Sequence, residues 1–123
     1  MTLHQFDRQN YLNLETTRKN GQTVKTPVWF AQEGDSLLVW TEANSGKAKR
    51  IRRDGKVRVV PSTASGEPLG EWKNGTAIAD SSPKAIQYVN DKFKKKYRLL
   101  FYAFNLLGKT RGAKYTTVRI RLD

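Results

Sequence analysis

Five of the ten residues in "NSGKAKRIRR", Asn44 to Arg53, are Lys or Arg, and none is acidic. Cationic side chains at that density suit an anion. Ala48 and Ile51 keep helical spacing among them and Asp54-Gly55 supplies a stop, so the spacing predicts one short helix that opens at Ser45, Gly46 and Lys47. A helix start offers unpaired backbone N–H groups and partial positive charge. Those three residues, backed by Lys49 and Arg50, therefore form a candidate phosphate pocket. The competing use of such a run is an ordinary solvated helix face. The common nucleotide motifs do not apply: a P-loop ending at Ser45-Gly46-Lys47 needs Gly where Thr41 stands and Ser or Thr where Ala48 stands. No G-x-G-x-x-G occurs either.

Other chemistry is tightly bounded. With no cysteine, disulfides, thiolate metal sites and cysteine nucleophiles are excluded, and a reducing cytoplasm is the expected compartment. His4 is the only histidine, which leaves nothing for a histidine metal cage or a Ser-His-Asp triad. The carboxylates are sparse and scattered, so an enzyme of this composition would draw its difficult chemistry from a cofactor. Twenty-three basic against eleven acidic residues give a net charge of +12, which suits nucleic acid, an acidic membrane surface or a phosphorylated ligand. The start, "MTLHQFDRQN", has no apolar stretch of signal-peptide length, and no run of about 18 apolar residues occurs, so neither secretion nor membrane spanning is expected.

The elements that must position the basic stretch are mostly strands. The 123 residues fit one domain, 1–123, with one core. Tyr11 to Arg18 alternates, with Leu12, Leu14 and Thr16 on one face, and runs into the turn Lys19-Asn20-Gly21. Val28 to Ala31 and Ser36 to Thr41 read as strands joined through Glu33-Gly34-Asp35, with Pro27 at a strand edge or beginning because it cannot donate to a ladder. "KVRVVPS" is a fourth strand, "GEWKNGTAIAD" a fifth with a bend at Asn74-Gly75, and "YTTVRIRLD" a sixth with Val118, Ile120 and Leu122 on its dry face. A second helix starts at Ser82-Pro83 and carries Ala85, Ile86, Val89, Phe93 and Tyr97 at helical intervals. "RLLFYAFNLLGK" continues as a further helix ending at Gly108, apolar most of the way round, which is either deeply covered or packed on a second subunit. The expected class is mainly β with α insertions, a six-stranded antiparallel barrel, closed or partly closed.

Three segments together resemble a known family: "TTRKNGQTVKTPVWF", "LLVWTEANSGKAKRIRRDGKVRVVPSTASGEPLG" and "KKYRLLFYAFNLLGKTRG". They are similar to the flavin and deazaflavin oxidoreductases of the pyridoxamine phosphate oxidase-like split-barrel superfamily, above all its small F-420-dependent branch. The resemblance spans Tyr11 to Asp123. It implies a homodimeric split barrel with flavin mononucleotide (FMN) or the deazaflavin coenzyme F-420 in a groove between subunits. It also implies that Thr41, Ser45, Lys47, Lys49 and Arg50 hold the cofactor phosphate while Thr26, Pro27, Val28 and Trp29 line the ring, largely through backbone groups. The activity it implies is hydride transfer to a small organic acceptor. The chain stops at "RIRLD", without the C-terminal substrate-binding segment of pyridoxamine phosphate oxidase, so vitamin B6 oxidation is not expected.

Clustered Lys and Arg at a helix start agree with a phosphate dianion on the residues alone. Trp29, Phe30 and Trp40 on β-strands are more often core than cofactor wall, and strand alternation keeps Trp29 and Phe30 from facing the same side. Residues 92–122 hold ten basic residues and no acidic one, so Lys94, Lys95 and Lys96 are candidates for the anionic tail of the deazaflavin or form a solvated helix end. The rivals are a basic barrel that binds nucleic acid, and a cofactor carrier without turnover.

Overall fold

The computed structural model describes residues 3–98 and 114–123. Six strands alternate with two helices: β1 (Tyr11–Thr17), β2 (Thr23–Glu33), β3 (Ser36–Glu42), α1 (Gly46–Arg53), β4 (Lys56–Ser62), β5 (Lys73–Asp80), α2 (Pro83–Tyr97) and β6 (Tyr115–Leu122), after a 3-10 turn at His4–Phe6. The strands close into a barrel in the order β1-β2-β3-β6-β5-β4, every neighbouring pair antiparallel. The expected six-stranded, mainly β barrel is the fold observed. The helix expected within "RLLFYAFNLLGK" lies outside the described residues.

Period-two alternation builds the interior. Leu12, Leu14, Val28, Phe30, Leu37, Val39, Val59, Val118 and Ile120 turn inward from five strands, and Phe6 of the 3-10 turn meets Phe30 edge to face at 5.8 Å between ring centroids. On β6 the alternation runs as the sequence implies, with Val118, Ile120 and Leu122 buried and Arg119 and Arg121 exposed. The bend expected at Asn74-Gly75 is a close approach instead. Gly75 lies within β5, paired with Val57 and Leu122, and a Cβ there would stand 2.8 Å from the Arg121 carbonyl oxygen, so only glycine lets β6 come this near.

Both helices start as their sequences dictate. The Ser45 and Ser82 hydroxyls accept the N–H groups of Ala48 and Ala85, each at 3.2 Å, and Pro83 occupies the first turn of α2. On α1, Ala48 and Ile51 are buried against the barrel. On α2, Val89, Phe93 and Tyr97 are buried, while Ala85 and Ile86 are only half-buried. A second apolar cluster forms outside the barrel, where these α2 residues cover Ala31 and Leu38 and pack against Trp29 and Trp40.

Candidate functional site

The site originates in β2, whose eleven residues are longer than their β-rich run suggests. From Thr23 to Trp29 the strand pairs with β1, and from Phe30 to Glu33 it pairs with β3. Between Trp29 and Phe30 it changes partner. Pro27 thus stands mid-strand yet at an edge, since β3 has diverged on that side and runs on from Trp40 to Glu42 against β6 alone. Successive residues of a strand send their backbone groups to opposite sides. The Phe30 N–H points to the β1 side, where it meets the Tyr97 hydroxyl, so the main-chain groups of Trp29 and the Pro27 carbonyl face the gap left by β3.

That gap is a cavity of about 570 Å³, lined by Tyr11, Thr26, Pro27, Val28 and Trp29 on one side, by Trp40, Thr41, Glu42 and Tyr115 on the other, by Phe93 of α2, and by Ser45 and Lys47 at the start of α1. Seven of the nine residues singled out in the sequence therefore meet in one place. The exceptions are Lys49, which is exposed, and Arg50 of α1, which is half-buried outside the cavity lining.

At the α1 end the groups suit an anion. Thr41 Oγ1 and Ser45 Oγ are 3.4 Å apart. Burial holds the Lys47 ammonium below its ordinary pKa, and Arg50 adds to the effect while Glu42 opposes it. The Arg50 Nε donates to Thr16 Oγ1 at 2.6 Å, and its guanidinium folds back over the first turn of α1: a Cβ on Gly46 would lie 2.8 Å from Arg50 Nη1. Gly46 is what admits that guanidinium to the helix start. Partial burial first, then Arg18 and Arg53, lowers the Arg50 pKa, so both of those arginines stand within electrostatic reach of Arg50. None of the three has a carboxylate partner among the described residues.

The other end of the cavity is aromatic. Trp29 stacks on Tyr97 at 4.3 Å between centroids and 11° between planes, while Trp40 lies 5.3 Å from Tyr115 and 6.4 Å from Phe93. Phe30, the next residue along, is wholly inside the barrel, as strand alternation requires. Sequence reasoning missed Tyr11, Glu42, Phe93 and Tyr115. The Tyr115–Glu42 pairing depends on the β3–β6 register, which no local pattern encodes. Phe93 carried a signal that read as core, and it serves both purposes. Of the Lys94–Lys96 run, Lys96 turns inward and donates to the Phe30 carbonyl at 2.6 Å, while Lys95 stays exposed.

No family model and no curated protein matches the chain. Solved structures do. A candidate pyridoxamine 5′-phosphate oxidase from Listeria innocua superposes with a TM-score of 0.69 at 13% identity, covering 98% of this chain and 90% of that one. The chain has the pyridoxamine phosphate oxidase-like split-barrel fold. An F-420 reductase shares it at a TM-score of 0.64 and 16% identity, with 98% and 91% of the two chains covered. So does HutZ, the heme storage protein from Vibrio cholerae, at 0.72 and 11%, with 98% and 86% covered. Identities this low carry the fold, and the fold hosts more than one function. Among the described residues no helix is long and apolar enough to cross a membrane.

Proposed function

We propose that this chain is a flavin- or deazaflavin-dependent oxidoreductase, with F-420 preferred to FMN, that works as a homodimer in the cytoplasm on a small organic acceptor. The observation that carries this reading is one cleft with an aromatic wall at one end and a basic helix start at the other. Its volume of about 570 Å³ falls in the range of about 300 to 1,000 Å³ found for small-molecule sites.

In this reading Ser45, Lys47 and the Arg50 guanidinium receive the cofactor phosphate, and Thr41 supports Ser45. Trp29 and Trp40 flank the ring and keep water from it, and the main-chain groups of Trp29 meet its polar edge. When bound, the ring supplies hydride chemistry; the chain supplies binding, orientation and exclusion of solvent. The preference for F-420 draws on Arg18 and Arg53, which continue the positive charge beyond a single phosphate. Heme fits the lining less well: it contains no histidine, and His4 sits exposed on the 3-10 turn.

A nucleic-acid platform has one supporting feature on the outer sheet. Trp72 lies under Lys25 and Arg58, at 5.3 and 5.0 Å. Glu15, however, pairs with both cations and offsets their charge.

The test is a tryptophan-fluorescence titration with F-420 and, separately, with FMN. Saturable quenching that favours F-420 is expected. Preference for FMN would reassign the cofactor. Binding of neither would overturn the reading, and steeply salt-dependent binding of RNA would then put the nucleic-acid platform in its place.

A further inference from the structure

Where β2 changes partner, its backbone is bridged by a side chain. The register that pairs Tyr11 with Trp29 would next pair Asn10 with Phe30, but β1 has already ended. The Tyr97 hydroxyl occupies the place of that missing pair. It accepts the Phe30 N–H at 2.9 Å and lies 2.7 Å from the Asn10 carbonyl oxygen, to which it donates. The Phe30 carbonyl oxygen lies 2.9 Å from the same hydroxyl and accepts from Lys96 Nζ at 2.6 Å. The last turn of α2 thus completes the ladder with two side chains, one residue away from the cavity wall.

Tyr97 alone touches that wall. Its ring stacks nearly parallel on Trp29, which lines the cavity, and it leans on Phe93, another lining residue, at 5.4 Å. Lys96 does not line the cavity; its ammonium lies over the Phe30 ring at 3.7 Å and, more distantly, over the Tyr97 ring at 5.3 Å. With the hydroxyl pinned at both sides, the Tyr97 ring cannot slide, and the indole plane of Trp29 is fixed before any ligand arrives. We propose that Tyr97 is a positioning residue that pre-sets the Trp29 plane, so that the cleft selects a flat, fused-ring ligand and loses that selectivity when the hydroxyl is removed. This rests on the reading of the cleft as a ring site. The gain is one of pre-organisation: a wall already in place need not be ordered on binding.

The experiment compares the wild type, Tyr97→Phe and Lys96→Met. Each is labelled with fluorotryptophan, and the Trp29 resonance is identified by its loss in Trp29→Phe. In ligand-free protein a single narrow Trp29 line is expected for the wild type and for Lys96→Met, and a broadened or split line for Tyr97→Phe. Titration with FMN should show an affinity about tenfold weaker in Tyr97→Phe only, the order expected when a fixed wall must be ordered anew. Inorganic phosphate, which has no ring, should bind all three alike. An unchanged Trp29 line and FMN affinity in Tyr97→Phe would overturn the inference, and so would equal losses in Lys96→Met, which would make the effect one of general stability. If the wild type binds neither FMN nor F-420 the cofactor reading falls, yet the ligand-free Trp29 lines still decide the role of Tyr97. Should Tyr97→Phe not fold, hydrogen exchange of the wild type decides. The Phe30 amide must be protected as strongly as the β3–β6 ladder, and fast exchange there would overturn the inference.

Discussion

Phe30 and Trp29 are neighbours on one strand, and nothing in their types explains why one is sealed inside the barrel and the other lines a cleft. Phe30 faces inward among Leu12, Leu37 and Val39, at the point where β2 joins β3. Trp29 faces outward at the last pair that β2 makes with β1, beside the edge that β3 has left. Up to this step the strand has β1 as its partner, and beyond it β3. A strand that changes partner keeps its inward face continuous and frees one stretch of edge on the other side. The barrel core and the cleft are therefore built from the same strand, without one weakening the other.

The comparison is broken most directly at Phe30. Its replacement by Ala should destabilise the protein by about 3–5 kcal/mol, as large-to-small changes of fully buried aromatics do. Urea unfolding measures it, and a loss under about 1 kcal/mol would mean that the core half is no more committed than the cleft half.

On the cleft side the effects should fall on binding. Lys47→Met should weaken FMN or F-420 by about thirtyfold, close to 2 kcal/mol, the worth of a charge-assisted contact to phosphate. Its melting temperature should stay level or rise, because the ammonium is held partly buried and its pKa is depressed by that burial. Calorimetric titration and a thermal melt check both halves of that expectation.

Ser45 couples the two regions, since it caps α1 and also lines the cleft. Ser45→Ala should cost about 1 kcal/mol in stability from the lost cap, and should weaken phosphate-bearing ligands as well. A change in one property alone would separate the two roles.

The smallest effect is one of pH. Burial lowers the Lys96 pKa from 10.5 to about 8. Between those values the unfolded chain binds more protons than the folded one, so folding gains stability as pH rises from about 8 toward 10.5. Chemical unfolding at pH 8 and pH 9.5 should show that rise in the wild type and a flatter profile in Lys96→Met.

Most of the barrel was legible because strands announce themselves locally. Alternation on "YTTVRIRLD", the turn at Glu33-Gly34-Asp35, and the Ser45 and Ser82 helix starts each rest on contacts within a few residues. The basic end of the cleft was legible for the same reason, because Thr41, Ser45 and Lys47 lie within one short segment. Two of its basic residues stand off the cavity lining. Helical rotation carries Lys49 to the solvent side, and Arg50 reaches the helix start only by folding over Gly46.

The sequence by itself determined the element types, the inward faces and a concentrated positive charge, all properties of local spacing and side-chain chemistry. Tertiary structure decided where β2 exchanges β1 for β3, that Tyr115 stands opposite Glu42, and that a tyrosine from α2 completes the ladder at Phe30. Those outcomes depend on registers between strands far apart in the chain. A register is fixed only when all six strands close together, because the barrel's closure, and not any one segment, sets which residues meet.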